Sequence, residues 1–149
     1  MKINVIVNGL NQVFDVAPDE YLLDTLRKNH YMSVKRGCDN SSCGVCTILV
    51  DGKPTPSCSL LTVKTENKHV TTVEGIPTEI AKLAVHMGEE GADQCGFCNP
   101  SLALTVYALK QENPQKLKIK AKKANAKRRK NPEFRSWLKV YSAAYIKNR

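Results

Sequence analysis

Apolar and polar positions change their period along this chain. From Lys2 to Val7 they alternate in a β-branched run that meets Asn8-Gly9, and a second short run, Gln12 to Val16, follows. This pattern predicts a β-hairpin. Pro18-Asp19-Glu20 predicts the opening of a helix with acids in its first turn, and Leu22, Leu23 and Leu26 give that helix an apolar face. Ser33 to Ser42 is polar and turn-rich. Thr47 to Val50 reads as a strand, Asp51-Gly52 as the turn after it, and residues 51–56 as the rest of a hairpin. His69 to Val73 reads as another strand. The first 76 residues therefore predict a small α+β domain of strands around one helix.

From Thr78 the period becomes helical. Ile80, Leu83, Ala84 and Met87 form a stripe that Gly88 or Gly91 ends. Past Cys98-Asn99-Pro100, residues Leu102, Leu104, Val106, Ala108 and Leu109 predict a second, mostly apolar helix, closed near Asn113-Pro114. Pro100 suits an early helical position. Phe97 and the stripe Leu102–Leu109 are expected in a core. Residues 78–113 thus read as a helical hairpin with a cysteine-rich joint.

At 149 residues the chain can bury one good core or two small ones. No apolar run approaches the roughly 18 residues of a membrane span, and MKINVIVNGL lacks the pattern of a signal peptide. The expectation is a cytoplasmic protein with no membrane partner. In a reducing compartment, clustered cysteines serve metals or redox chemistry more often than disulfides.

Charge separates the chain into a body and a tail. Residues 1–113 carry 10 Lys and Arg against 13 Asp and Glu, whereas residues 114–149 carry 13 against 1. The run from Lys116 to Lys130 contains no acid. Phosphate contacts are one use for such a run, but it lacks the interleaved aromatics that stack bases. A solvated linker or a corrupted stretch of sequence are the blander readings, and no nucleic acid is expected. His30, His69 and His86 are scattered and read as ordinary histidines. Arg36 reads as a surface residue, with charge tuning of a neighbouring site as the alternative. No acid/base dyad, Ser–His pair or phosphate loop is visible, so a non-catalytic role is expected.

The chemistry lies in the cysteines. GCDNSSCGVCTILVDGKPTPSC holds Cys38, Cys43, Cys46 and Cys58, with gaps of four, two and eleven residues. Structural zinc sites usually pair two short knuckles across a long spacer. C-x4-C-x2-C with a distant fourth cysteine is instead the plant-type spacing for a 2Fe-2S cluster. Zinc at the same thiols, free cysteines and two disulfides are weaker readings. A loop wrapping a cluster must aim backbone N–H groups at buried negative sulfur. Gly37 and Gly44 permit close approach and positive φ, while Ser41, Ser42 and Val45 leave room. Cys58 has to return from beyond the strand.

These residues, with QCGFCNP further on, resemble the small iron–sulfur subunits of the molybdenum hydroxylases, the family of xanthine dehydrogenase, aldehyde oxidoreductase and nicotinate dehydrogenase. LLDTLR, VEGI and QCGFC also stand in the family's order. The resemblance covers residues 1 to about 113. It implies a ferredoxin-like (β-grasp) domain over 1–76 and a helical-bundle domain over 77–149, the latter degenerate across its basic segment 114–136. It implies 2Fe-2S clusters, with Cys38, Cys43, Cys46 and Cys58 as ligands of the first and Cys95 and Cys98 as two ligands of a second. Gly37 and Gly44 would line the cofactor. The implied partners are a molybdopterin-binding large subunit and an FAD-binding medium subunit, and the implied function is electron relay between them. A stand-alone ferredoxin-type carrier or metal-binding protein is the alternative, although a helical hairpin after the ferredoxin domain favours the subunit.

The chain departs from the family after Cys98. The family's second pair of ligands lies in a motif of the form N-x-C-R-C-x-G-Y, and this chain has no later cysteine. Aligned on its end, SWLKVYSAAYIKNR, Pro132 and Phe134 stand at the two cysteine positions and Trp137 at the tyrosine. Cys98-Asn99-Pro100-Ser101 also replaces the family's C-T-P-G. Three explanations stay open: the second cluster is absent, residues 114–136 come from a compensated frame shift, or Cys95 and Cys98 use other ligands.

Overall fold

The computed structural model describes residues 1–112 together with Lys130 and Pro132. The basic run and the end of the chain otherwise lie outside the described residues. The chain divides into two compact units, Met1–Leu109 and Lys110–Arg149, and the first carries everything that follows.

Asn8 and Gly9 both adopt left-handed backbone, with φ of 52° and 81°. Two successive positive φ values give the tight turn whose twist matches a hairpin. Strand β1 (Lys2–Val7) therefore folds directly onto β2 (Leu10–Asp15), with Val7 opposite Leu10 and Lys2 opposite Asp15. Asp51 and Gly52 repeat the device, with φ of 49° and 78°, between β3 (Thr47–Val50) and β4 (Lys53–Pro56). Strand β5 (His69–Thr71) completes a mixed sheet in the order β2-β1-β5-β3-β4, parallel to β1 and antiparallel to β3. Pro54 and Pro56 sit in the outer strand β4, where a missing amide hydrogen is tolerated.

Ile3, Val5 and Val7 point to one face of the sheet, with Ile48, Val50 and Val70. Helix α1 (Leu22–Lys28) lays Leu22, Leu23 and Leu26 onto that face, and all three are fully buried. Burying each such side chain stabilises the fold by about 1.5–3 kcal/mol. Leu49, one residue out of phase with Ile48, faces the opposite side and packs with Leu104, Ala108, Ile76 and Tyr107. That contact seats helix α3 (Asn99–Glu112) on the second face of the sheet. Helix α2 (Pro77–Glu89) precedes it and buries only Met87.

Three expectations are corrected, and the choice between Gly88 and Gly91 as the end of α2 is resolved. Helix α1 begins at Leu22 rather than at Pro18-Asp19-Glu20, because Tyr21 forms an isolated bridge with Leu61 and the Leu22 amide bonds the Leu60 carbonyl at 2.8 Å. Asp19 and Glu20 thus precede the helix, and Asp24 is the acid of its first turn. Strand β5 stops at Thr71, since Val73–Gly75 turns into a 3-10 helix. Phe97, Leu102 and Leu109 are exposed rather than core, and the buried face of α3 is Ser101, Ala103, Leu104 and Ala108. Gly88 lies inside α2; Gly91, with φ of 63°, ends it as its amide and that of Ala92 bond the carbonyls of Gly88 and Met87. Among the described residues no helix is long and apolar enough to cross a membrane.

Candidate metal centre

The β3–β4 hairpin closes the eleven-residue gap in the cysteine spacing. Thr47 stands opposite Pro56, so Cys46 and Ser57, one step beyond either end, meet. Ser57 is fully buried and donates twice to the Cys46 carbonyl, from its amide at 3.3 Å and its hydroxyl at 2.8 Å. The next residue, Cys58, thereby comes beside Cys46. Burial pushes the Cys58 thiol up, the Ser41 hydroxyl at 3.4 Å works the other way, and the neighbouring Cys46 and Cys38 thiols push it further up.

The other two cysteines are brought together by a curled loop. Ser41 and Gly44 take positive φ, 59° and 69°. The Cys43 amide then donates to Cys38 Sγ at 3.5 Å. Backbone donation from Cys43, the Cys43 thiol, and the amides of Asn40 and Ser42 outweigh desolvation and pull the Cys38 thiol down to about 7. Thiolates are the form that binds metal. This is the donor pattern that negative sulfur requires.

Gly37 and Gly44 divide the glycine roles. Gly44 supplies the left-handed turn. Gly37 supplies space, since a Cβ there would lie 2.7 Å from Val45 Cγ1, 3.2 Å from Cys43 Sγ and 3.5 Å from Phe97 Cε1. Among the described residues no three Cys, His, Asp or Glu side chains are grouped to hold one ion. The thiols instead approach in couples, Cys38 with Cys43 and Cys46 with Cys58. Two irons sharing four thiolates ask for that division, so this donor set fits a 2Fe-2S cluster.

Helix α1 anchors both arms of the loop, which local sequence signals do not reveal. Arg27 donates to the Val34 carbonyl at 2.9 Å, and Arg36 pairs with Asp24 at 2.7 Å. That pairing raises the Arg36 pKa and makes Arg36 a bracing residue as well as a surface one. The arm after Cys58 is held by Thr62, whose amide and hydroxyl both donate to the Glu20 carbonyl and whose hydroxyl meets Thr25 Oγ1 at 2.8 Å. Burial disfavours ionised Glu20, but hydrogen bonds from Lys28, Thr25 and the Ala17 amide hold its carboxyl below the usual range. Long-range Thr–Thr and Glu–Thr contacts of this kind have no periodic signature to read.

Cys95 and Cys98 lie on the turn between α2 and α3, and both are exposed. Gly96, with φ of 71°, forms the turn, and Asn99 Nδ2 donates to Asp93 Oδ1 at 3.0 Å across it. Phe97 projects from between the two cysteines towards Gly37, with the Lys35 ammonium 4.9 Å above its ring. The two cysteine segments therefore touch through one aromatic ring. His30, His69 and His86 take no part in either.

The fold and its thiols define an iron–sulfur cluster-binding protein, and comparison with known proteins agrees. The family model of the 2Fe-2S iron-sulfur cluster binding domain matches residues 5–73, and that of the 2Fe-2S binding domain matches residues 72–138. The second span contains Cys95 and Cys98 and no other cysteine. The nicotinate dehydrogenase small FeS subunit of Eubacterium barkeri is 36% identical over 117 residues, 76% of this chain and 74% of its own length. The xanthine dehydrogenase iron-sulfur-binding subunit of Escherichia coli O157:H7 is 34% identical over 111 residues, 73% of this chain and 70% of its own. A chain of quinoline 2-oxidoreductase from Pseudomonas putida 86 superposes with a TM-score of 0.71 at 37% identity, covering 76% of this chain and 72% of that one. This chain belongs to the small iron–sulfur subunits of the molybdenum hydroxylase family.

Proposed function

We propose that this chain is the electron-relay subunit of a cytoplasmic molybdenum hydroxylase, working between a molybdopterin-binding large subunit and an FAD-binding medium subunit. Residues 1–76 form its cluster-binding domain, with Cys38, Cys43, Cys46 and Cys58 as ligands. Residues 77–149 form the second domain, to which Cys95 and Cys98 contribute two thiols of an incomplete site. The observation that carries this reading is the pairing of four thiols in two couples, Cys38 with Cys43 and Cys46 with Cys58, with backbone amides donating to Cys38. When bound, a 2Fe-2S cluster supplies reversible one-electron transfer. The chain's residues position and protect it. The amides of Cys43, Asn40 and Ser42 stabilise the Cys38 thiolate. Ser57 fixes Cys46, which at 3% exposure keeps water from the inner side of the site. In this reading the chain carries electrons, and the substrate is bound by another subunit.

The test is iron and acid-labile sulfide per chain on anaerobically purified protein, with EPR after dithionite reduction. About two irons and one rhombic signal are expected. Iron without labile sulfide, or zinc in its place, overturns the reading. About four irons would mean that ligands other than this chain's cysteines complete the second site.

A further inference from the structure

Phe97 is a large apolar ring that burial does not account for. It is 44% exposed and belongs to neither buried apolar cluster among the described residues. Its contacts lie on the arm that leads into the cysteine loop, residues 33–37. Two parts of the chain grip that arm at alternate residues. Helix α1 holds the even ones: the Val34 carbonyl accepts from Arg27, and Arg36 pairs with Asp24. The chain beyond β5 holds the odd ones. The Glu74 carboxylate accepts from the Ser33 amide at 3.2 Å and from its hydroxyl at 2.7 Å. Phe97 takes the other two, with the Lys35 ammonium 4.9 Å from its centroid and Cε1 3.5 Å from where a Gly37 Cβ would stand. Gly37 has no side chain to absorb a movement of the ring, and the next residue is Cys38. Hydrogen bonds to sulfur are among the levers that set a cluster's potential, and Cys38 Sγ accepts one from the Cys43 amide at 3.5 Å. The same ring stands between Cys95 and Cys98, on a turn closed by the Asn99 amide on the Gly96 carbonyl at 3.2 Å. Both thiols are exposed.

Resting on the reading of Cys38, Cys43, Cys46 and Cys58 as cluster ligands, we propose that Phe97 is a positioning residue for that cluster, and that through it the state of the Cys95 and Cys98 thiols, free or captured, is passed to Cys38. Capture of the thiols, by a metal ion or by an alkylating group, reshapes the turn that carries the ring. The ring then bears differently on Lys35 and Gly37, and the donation of the Cys43 amide to Cys38 Sγ changes with it. In this arrangement Cys95 and Cys98 act on the cluster without carrying an electron themselves. The other use of an exposed ring at this place is to keep water from the site, which acts on the potential in the opposite direction.

The experiment records the EPR line positions and the reduction potential of the cluster-loaded full chain. Phe97→Ala is compared with Leu102→Ala, which removes an apolar side chain of equal exposure from α3. Phe97→Ala is expected to move the lines and to lower the potential, because weaker donation to Cys38 Sγ stabilises the reduced, more negative cluster less. Phe97→Tyr restores the wild-type values, and Leu102→Ala keeps them. Each chain is then treated with iodoacetamide, with alkylation of Cys95 and Cys98 followed by mass and iron per chain measured before and after. Alkylation is expected to move the lines in wild type and in Leu102→Ala but not in Phe97→Ala, the non-additivity that marks a coupled pair. Unmoved lines in Phe97→Ala overturn the proposal. So does a raised potential, which assigns the ring to excluding water. So does an equal response to alkylation with and without the ring, whether a shift of lines or a loss of iron. A wild-type chain without a 2Fe-2S signal overturns the cluster reading itself, and this proposal with it.

Discussion

The two cysteine-bearing segments of this chain are built to opposite standards. The loop from Gly37 to Cys58 is framed by a β-hairpin, braced at both arms by α1, and set against the main core through Cys46. The turn from Cys95 to Cys98 presents two exposed thiols between two helices, one of which buries a single residue. Both lie in spans that match iron–sulfur domain families. A matching span and a preorganised set of thiols are therefore separate properties. The first comes from overall pattern, and the second from specific donors and packing around each sulfur.

The largest expected contrast comes from removing one thiol in each segment. Cys46→Ser should abolish both the visible absorption and the EPR signal of the purified chain, while Cys95→Ser should leave iron per chain unchanged. Equal losses would break the contrast. Gly37→Ala and Gly96→Ala sharpen it next. An alanine Cβ at residue 37 meets Val45 Cγ1 at 2.7 Å and Cys43 Sγ at 3.2 Å, so cluster loading should fall well below wild type. At residue 96 the nearest atom is 3.8 Å away, leaving only left-handed backbone strain, about 1–2 kcal/mol of stability with loading preserved.

A smaller contrast separates two threonines. Thr25→Val strips a partner from both Glu20 and Thr62 in a buried network, and urea unfolding should show a loss of about 1–3 kcal/mol. Thr105, which only bonds back to the Ser101 carbonyl of its own helix, should change by about 0.5 kcal/mol or less on substitution by Val. The smallest effect concerns acid. Burial opposes ionisation of Glu74, but hydrogen bonds from Thr72, Ser33 and the nearby amides hold its carboxyl below the ordinary range. Glu20 is lowered in the same sense. A carboxyl that titrates lower when folded contributes its full stability above the ordinary carboxylate range. It loses that contribution as pH falls through its lowered folded value. Urea midpoints measured from neutral to acid pH should therefore fall less steeply for Glu74→Gln than for wild type.

What the sequence discloses follows from how local each feature is. Strand β1, strand β3, the Asp51-Gly52 turn and the four-cysteine loop are visible because alternation, turn chemistry and cysteine spacing all act within a few residues. The start of α1 is not visible, because a pairing between Tyr21 and Leu61, forty residues apart, overrides the helix signal of Pro18-Asp19-Glu20. Phe97 misleads for a related reason. Its hydrophobicity suggests a core, yet it serves as a surface contact between two loops and a platform for Lys35. Helix α3 looks apolar around much of its circumference, and its periodicity does not show that Leu104 and Ala108 are the residues that meet Leu49 on the sheet. The braces of the metal centre, Thr25, Thr62, Ser57 and Asp24, are ordinary polar residues until the fold joins them.

The two prolines of β4 have a consequence for assembly. Two of the four residues of that outer strand carry no amide hydrogen, so the sheet offers an incoming chain little to pair with on the border that leads into Cys58. Growth of the sheet by strand addition is blocked on that side and open only at β2, the far border. The hairpin that brings Cys46 and Cys58 together is thus also the end of the sheet. Crowding many copies together leaves their sulfur-bearing rims unpaired with one another.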